Sequence, residues 1–179
     1  GRWIEDSVVS RWADFTASLS HQSPENTSGR VLSLLIQSHT DERDTDIARS
    51  IYAEHVERRE LECVWTGRQL DRFDVDHAIP WALWRNNDLW NLLPAHPKTN
   101  NDKRAKIPAR SRVIDRRQVI TTSWEMLYEE KSDLFLAHAK AFVGDRTYKE
   151  FSPELRTELF DAFKDALEFT AVNRGVERW

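Results

Sequence analysis

Three short stretches decide how this chain is read: Phe73-Asp-Val-Asp-His-Ala-Ile-Pro80, Asn91-Leu-Leu-Pro-Ala95 and Asn100-Asn-Asp-Lys103. In the first, Val75 sits between Asp74 and Asp76 in the period-2 pattern of a strand, and Ile79-Pro80 stops it. Upstream, Cys63-Val-Trp-Thr-Gly67 and Leu70 read as an earlier β segment, joined to the first stretch by a turn at Gly67. Downstream, 81–90 is a long aromatic-rich connection in which Asn86-Asn87-Asp88 suits the cap of one helical turn leading to Asn91. Pro97 suits the first turn of a helix over 98–106, and Pro108 ends it. The expected local order is strand, strand, helix.

Outward from this centre the period changes to that of helices. Trp3, Ile4, Val8, Trp12, Phe15 and Leu19 mark an amphipathic helix over 3–19, 21–29 is a polar loop, and 31–37 is a short apolar helix. Ile47, Ile51, Tyr52 and Val56 carry a further helix within 41–59. On the other side, Val113, Val119, Ile120, Trp124, Leu127 and Tyr128 mark one or two helices, and Ser132 caps another that runs to Gly144. Ser152-Pro153-Glu154 starts the last helix, which continues through Leu155, Leu159, Phe163, Leu167 and Thr170 and stops near Gly175.

The chain has 179 residues, of which 40% are hydrophobic, enough for one core or a small module wrapped by helices. Its net charge of −4 excludes a uniformly basic coat for nucleic acid, so any attraction to phosphate has to be local. Such a patch exists: 98–117 holds eight Lys or Arg against Asp102 and Asp115, a balance of +6 in twenty residues. Within it Lys98, Arg104, Lys106, Arg110, Arg112 and Arg116 are the expected phosphate contacts. Cys63 is the only cysteine, so an intramolecular disulfide is impossible and a cytoplasmic setting is expected by default. Neither an apolar run long enough to span a membrane nor a basic-then-apolar leader is found. Gly1 in place of Met leads to the expectation of a processed or excised chain with a further domain upstream or a partner subunit.

An Asp-His pair after a β-branched residue, Asn91 fifteen positions beyond Asp76, Asn100 nine beyond that and Lys103 three later: this combination resembles the HNH, or ββα-metal, endonuclease family. The resemblance covers roughly 61–108, about a quarter of the chain. The same spacing is similar to that of the HNH domains of the large CRISPR effector nucleases. It implies a ββα-metal core (61–108), which, with the helical N-terminal (1–60) and C-terminal (109–179) segments read from periodicity and the chain length, gives the expectation of an α+β, mostly α fold in one compact unit.

It also implies a chemistry. Phosphodiester hydrolysis needs an activated water and an acceptor for the charge that develops at phosphorus. His77 is the expected general base, because imidazole titrates near neutrality. In the family the Asp before the His and the last Asn hold one metal ion, positions that match Asp76 and Asn100. Their hard oxygens favour Mg²⁺ or Mn²⁺. Asn91 matches the Asn that holds the catalytic loop. Lys103, one turn after Asn100, is expected to meet a phosphate oxygen. Asp74 and His96 are candidate supporting residues.

A regular strand points Asp76 and His77 to opposite faces, so β structure has to end or twist there if both serve one site. The sequence departs from many HNH proteins where they carry two Cys-x-x-Cys pairs for zinc: here the places read Cys63-x-x-Thr66 and His96-x-x-Thr99, so no structural zinc is expected and Cys63 reads as a small buried hydrophobe. The expected function is cleavage of DNA, as a restriction or phage-defence effector. Alternatives are an HNH toxin or homing-type nuclease, and a nucleic-acid-binding module whose nuclease site is vestigial.

Overall fold

The computed structural model describes residues 42–144 and 147–179. The helices expected over 3–19 and 31–37, and the loop between them, lie outside these residues. By contacts the chain divides into Gly1–Glu42 and Arg43–Trp179. The second unit is mostly helical, with one two-stranded sheet.

Helix α1 (Asp46–Glu57) buries Ala48, Ile51 and Tyr52, the face its periodicity marks. Strand β1 (Asp74–His77) pairs antiparallel with β2 (Leu92–Ala95), in the register Asp74 with Ala95, Val75 with Pro94, Asp76 with Leu93 and His77 with Leu92. A 3₁₀ turn (Leu89–Asn91) feeds β2 directly, and α2 (Pro97–Lys103) follows it. Then come α3 (Arg110–Asp115), α4 (Arg117–Glu130), α5 (Ser132–Val143) and α6 (Pro153–Arg174).

The strand–strand–helix order is present, and the second expected β segment is β1, but the first, over 63–67, is not its partner. Residues 63–67 form a turn: the Cys63 carbonyl accepts from the N–H groups of both Thr66 (3.1 Å) and Gly67 (2.7 Å), and Gly67 takes a φ of +66°. Only Glu62 and Gln69 bridge across that turn. The partner of β1 comes later in the chain, after the connection, and contains Pro94. Proline fits there because its carbonyl faces away from β1, accepting from Val64 N–H at 3.0 Å. Its nitrogen faces the same outer side, where no ladder bond is lost.

The start of α6 and the ends of α5 and α6 follow their sequence signals. Ser152 Oγ accepts from Leu155 N–H at 3.3 Å with Pro153 at the first helical position, and Gly144 and Gly175 end α5 and α6 in left-handed conformations. Ser132 is the first residue of α5 and makes no cap bond. The helix after Pro97 stops at Lys103, short of the expected 106, because Arg104 turns to a φ of 52°.

One core joins these elements. Trp65, Trp90 and Trp124 are fully buried, and each removes enough apolar surface to contribute roughly 4–6 kcal/mol before entropy is counted. Trp90 stacks on Phe142 (3.9 Å between centroids), and Trp124 donates its indole N–H to the Trp90 carbonyl at 2.9 Å. Tyr52 OH donates to Leu92 O at 3.0 Å, tying α1 to the start of β2. The C-terminal residues run beside 107–109, through Ile107 N–H to Glu177 O (3.1 Å) and Trp179 N–H to Ile107 O (2.8 Å). This brings Trp179 edge-on to Trp65, 6.5 Å between centroids.

Candidate active site

β1 presents successive side chains to two surroundings. Asp74 and Asp76 face α2. Asp76 is 3% exposed and both its oxygens are engaged: Oδ2 accepts from the Trp65 indole at 2.7 Å and Oδ1 from Lys103 Nζ at 3.0 Å. Lys103 is wholly buried, and its ammonium also donates to the His77 carbonyl at 2.9 Å. Burial pushes the Asp76 carboxyl above its ordinary pKa, and the Lys103 ammonium, the Trp65 indole and the Arg43 charge oppose that rise. One turn earlier on α2, Asn100 Nδ2 donates to Asp74 Oδ2 at 3.1 Å, both residues being half-buried. Asp74 and Asp76 are therefore different carboxylates: one is sealed against a cation, the other lies at the rim.

His77 looks the other way. Arg43 Nε donates to its Nδ1 at 3.3 Å, so Nδ1 carries the lone pair. The proton of the neutral ring is then on Nε2, which lies 3.2 Å from Asn87 Oδ1. That oxygen also accepts from Asp44 N–H at 3.1 Å, which fixes the amide's orientation. The ring meets Trp81 edge-on at 5.5 Å. Burial pushes the pKa of His77 down to about 4; the bond to Asn87 opposes this, and the Arg43 and Lys103 charges add to it. At neutral pH the imidazole is uncharged, with its tautomer set by its neighbours.

The loop that carries Asn87 is anchored at both ends. Asn91 is wholly buried: its Oδ1 accepts from Ile79 N–H (2.8 Å), its Nδ2 donates to Ile79 O (3.2 Å) and Asn86 O (3.3 Å), and its carbonyl accepts from Ala78 N–H (2.9 Å). It ties the residues that follow His77 to the start of β2. Asp88 gathers the indole of Trp90 (3.1 Å) and the amide of Asn86 (2.9 Å), and His138 on α5 accepts from Leu89 N–H at 3.1 Å.

Residues 63–109 match the HNH endonuclease family. The match takes in β1, β2, α2 and every residue just described from Trp65 to Lys103, about a quarter of the chain, and points to a nuclease acting on nucleic acid. The curated proteins and the solved structures contain no match to the chain.

In the HNH segment, His96 stands at the start of α2. It caps α2, its Nδ1 accepting from Lys98 N–H at 3.2 Å, while its own N–H donates to the buried Cys63 Sγ at 3.3 Å. Among the described residues no group of three or more His, Cys, Asp and Glu side chains is placed to hold a metal.

Half of the basic run from the HNH segment onward is paired with carboxylates, Lys103 among it. Lys98 pairs with Asp102 (3.0 Å), Lys106 with Glu177 (2.8 Å) and Arg110 with Asp165 (3.6 Å). Arg112 lies over Trp179 at 4.1 Å, Arg116 covers Gly67, where an added Cβ would meet its guanidinium, and Arg117 lies over Phe160 at 4.9 Å. Arg104 is exposed. Lys103 differs most from expectation: its ammonium points inward, so in this arrangement its contacts are Asp76 and His77 O rather than a phosphate.

The sequence pattern missed Arg43, Asn87, Trp65 and Trp81 as neighbours of the motif. Trp65, Asn87 and Trp81 stand inside the HNH segment but read there as part of a β segment, of a helical cap and of an aromatic connection. Arg43 lies thirty-four positions before His77, and nothing in its own surroundings marks it.

Proposed function

We propose that this chain is a metal-dependent HNH endonuclease that hydrolyses phosphodiester bonds in DNA, with His77 as general base. The observation that carries this reading is the state of His77: an uncharged imidazole whose Nε2 proton is committed to Asn87, leaving Nδ1 as the one nitrogen able to take a proton from water. Its position at the end of β1, followed by an antiparallel strand and a helix within a segment similar to the HNH family, supports the assignment.

The donor set fits the hard cation that such chemistry uses. Two carboxylates and an amide, all oxygen donors, line the β1 and α2 face, which suits Mg²⁺ or Mn²⁺. Asp76 and Asn100 would hold a single ion, with Asp74 beside Asn100. Asp76 joins this set only if Lys103 shares its Oδ1, since both of its oxygens already accept hydrogen bonds. When bound, the ion would stabilise charge developing on the phosphate oxygens.

The chain's own groups do the rest. Nδ1 of His77 takes the proton of the attacking water, Asn87 and Trp81 hold the ring, and Asn91 holds the loop behind it. Lys103 fixes the His77 carbonyl and offsets the Asp76 charge. Lys98, Arg104, Lys106, Arg110, Arg112 and Arg116 are proposed to follow the DNA backbone. Surface pairs such as Lys106 with Glu177 contribute little and exchange readily for phosphate. Restriction or phage defence is the proposed role, on the strength of the family resemblance, and a cytoplasmic setting is proposed from the single cysteine.

The test is cleavage of duplex DNA, single-stranded DNA and RNA in Mg²⁺ or Mn²⁺ by wild type and His77→Ala. Loss of cutting with DNA binding retained is the expected result. Near-wild-type turnover by the variant would sink the assignment of the base.

A further inference from the structure

The cation nearest the base nitrogen belongs to no motif. Arg43 stands just before α1 and is exposed, yet its guanidinium reaches the His77 ring. Its acceptors are two neutral groups, His77 Nδ1 at 3.3 Å and Val75 O at 3.4 Å, both at the long end of hydrogen-bond distance. Among the described residues it makes no ion pair. In this it differs from Lys98, Lys103, Lys106 and Arg110, each of which has a carboxylate partner.

We propose that Arg43 is a catalytic phosphate-binding residue of this site, which in the free protein caps the base nitrogen of His77 and is drawn off it by the phosphodiester. The argument has two parts. A hydrogen bond from a guanidinium to a phosphate oxygen is roughly twice as strong as one between neutral groups, and a guanidinium can make two of them side by side. A phosphate arriving beside His77 therefore competes well against an imidazole nitrogen and a carbonyl. Once Arg43 transfers, the Nδ1 lone pair is free to receive a proton from water, and a positive charge stands where negative charge develops at phosphorus. Substrate thus uncaps the base and brings its own charge acceptor into place in one movement. Until then, the atom that activates water is covered.

This inference rests on the nuclease reading, and the experiment separates the two. Nitrogen-15 spectra of the His77 ring would be recorded at neutral pH on the full chain, for wild type, Arg43→Gln and Arg43→Lys, with and without a non-cleavable duplex in Ca²⁺. Cutting of the normal duplex in Mg²⁺ would be measured alongside. The expected results are an Nδ1 resonance that differs between free wild type and free Arg43→Gln, and a wild-type resonance that moves to the Arg43→Gln position when DNA is added. Arg43→Gln should lose about 10²-fold in kcat with KM little changed, and Arg43→Lys should recover part of the loss. Identical Nδ1 resonances in the free proteins overturn the cap, and a wild-type cutting rate in Arg43→Gln overturns the phosphate role. Should the wild type cut nothing, the nuclease reading falls, and an Nδ1 resonance unmoved by DNA then overturns this proposal as well.

Discussion

The two faces of β1 handle charge in opposite ways. Toward α2, Asp76 and Lys103 are both dry, both ionisable and satisfied by each other, by Trp65 and by the His77 carbonyl. On the other side His77 is equally dry but uncharged, and its two nitrogens are occupied by an amide and by an exposed guanidinium. Neighbouring residues in one strand therefore have separate tasks. The ion pair fixes the backbone beneath His77, because one ammonium spans the Asp76 carboxylate and the His77 carbonyl. The neutral face fixes the ring and its tautomer. A charge placed on the second face, or removed from the first, should be costly.

The largest effect is expected on the charged face. Lys103→Met leaves Asp76 buried without its cation and should lower stability by about 3–5 kcal/mol, measured by urea unfolding. Adding Asp76→Asn to that variant removes the stranded charge and should recover most of the loss. If the single variant lost less than about 1 kcal/mol, Asp76 would have to be hydrated in solution and the contrast between the faces would fail.

Why the sequence revealed one half of this contrast and not the other is a matter of range. Asp76, His77, Asn91, Asn100 and Lys103 lie within twenty-eight positions in fixed order, and their types and spacing identify the segment. Helix ends were legible too, because Ser152-Pro153 and Gly175 act on their own local backbone. The strand partner was misread because apolar alternation at 63–67 looks extended, while a turn held by the Cys63 carbonyl and Gly67 leaves no such pattern. Conversely, Pro94 argues against a strand until one sees that its nitrogen faces outward. The direction of Lys103 was legible only in part: helical spacing places it on the Asn100 side of α2, but whether the ammonium ends in solvent or on Asp76 depends on the depth of packing. Arg43 and Asn87 reach His77 through tertiary contact, which no local period encodes.

A smaller effect is expected from titrating the neutral face. The unfolded chain protonates His77 near its ordinary pKa of 6.5, whereas the folded chain holds it down to about 4. Between those values the unfolded state binds a proton that the folded state refuses. The stability His77 contributes is therefore fully present above about pH 6.5 and is lost as pH falls toward 4, on the order of 2–3 kcal/mol. Unfolding of wild type and His77→Gln across pH 7 to 4.5 isolates this, because carboxylates common to both titrate in parallel. The wild-type curve should fall more steeply. Parallel curves would mean that the ring is solvated and free to charge.

The smallest effect on stability is expected at the rim of the charged face, where it sharpens the contrast within that face. Asp74 and Asn100 share one hydrogen bond at 3.1 Å, and both are half-buried, so water replaces the contact when it is lost. Asn100→Ala should lower stability by no more than about 1 kcal/mol. The same substitution withdraws an oxygen donor from the proposed ion, so Mn²⁺ affinity, read from the free-ion signal in electron paramagnetic resonance, should fall at least about tenfold. Lys103→Met should show the reverse pattern, with a large loss of stability and no loss of ion donors. If Asn100→Ala cost as much stability as Lys103→Met while leaving Mn²⁺ affinity unchanged, Asn100 would belong to the sealed interior with Asp76. The proposed ion would then have to bind through other oxygens.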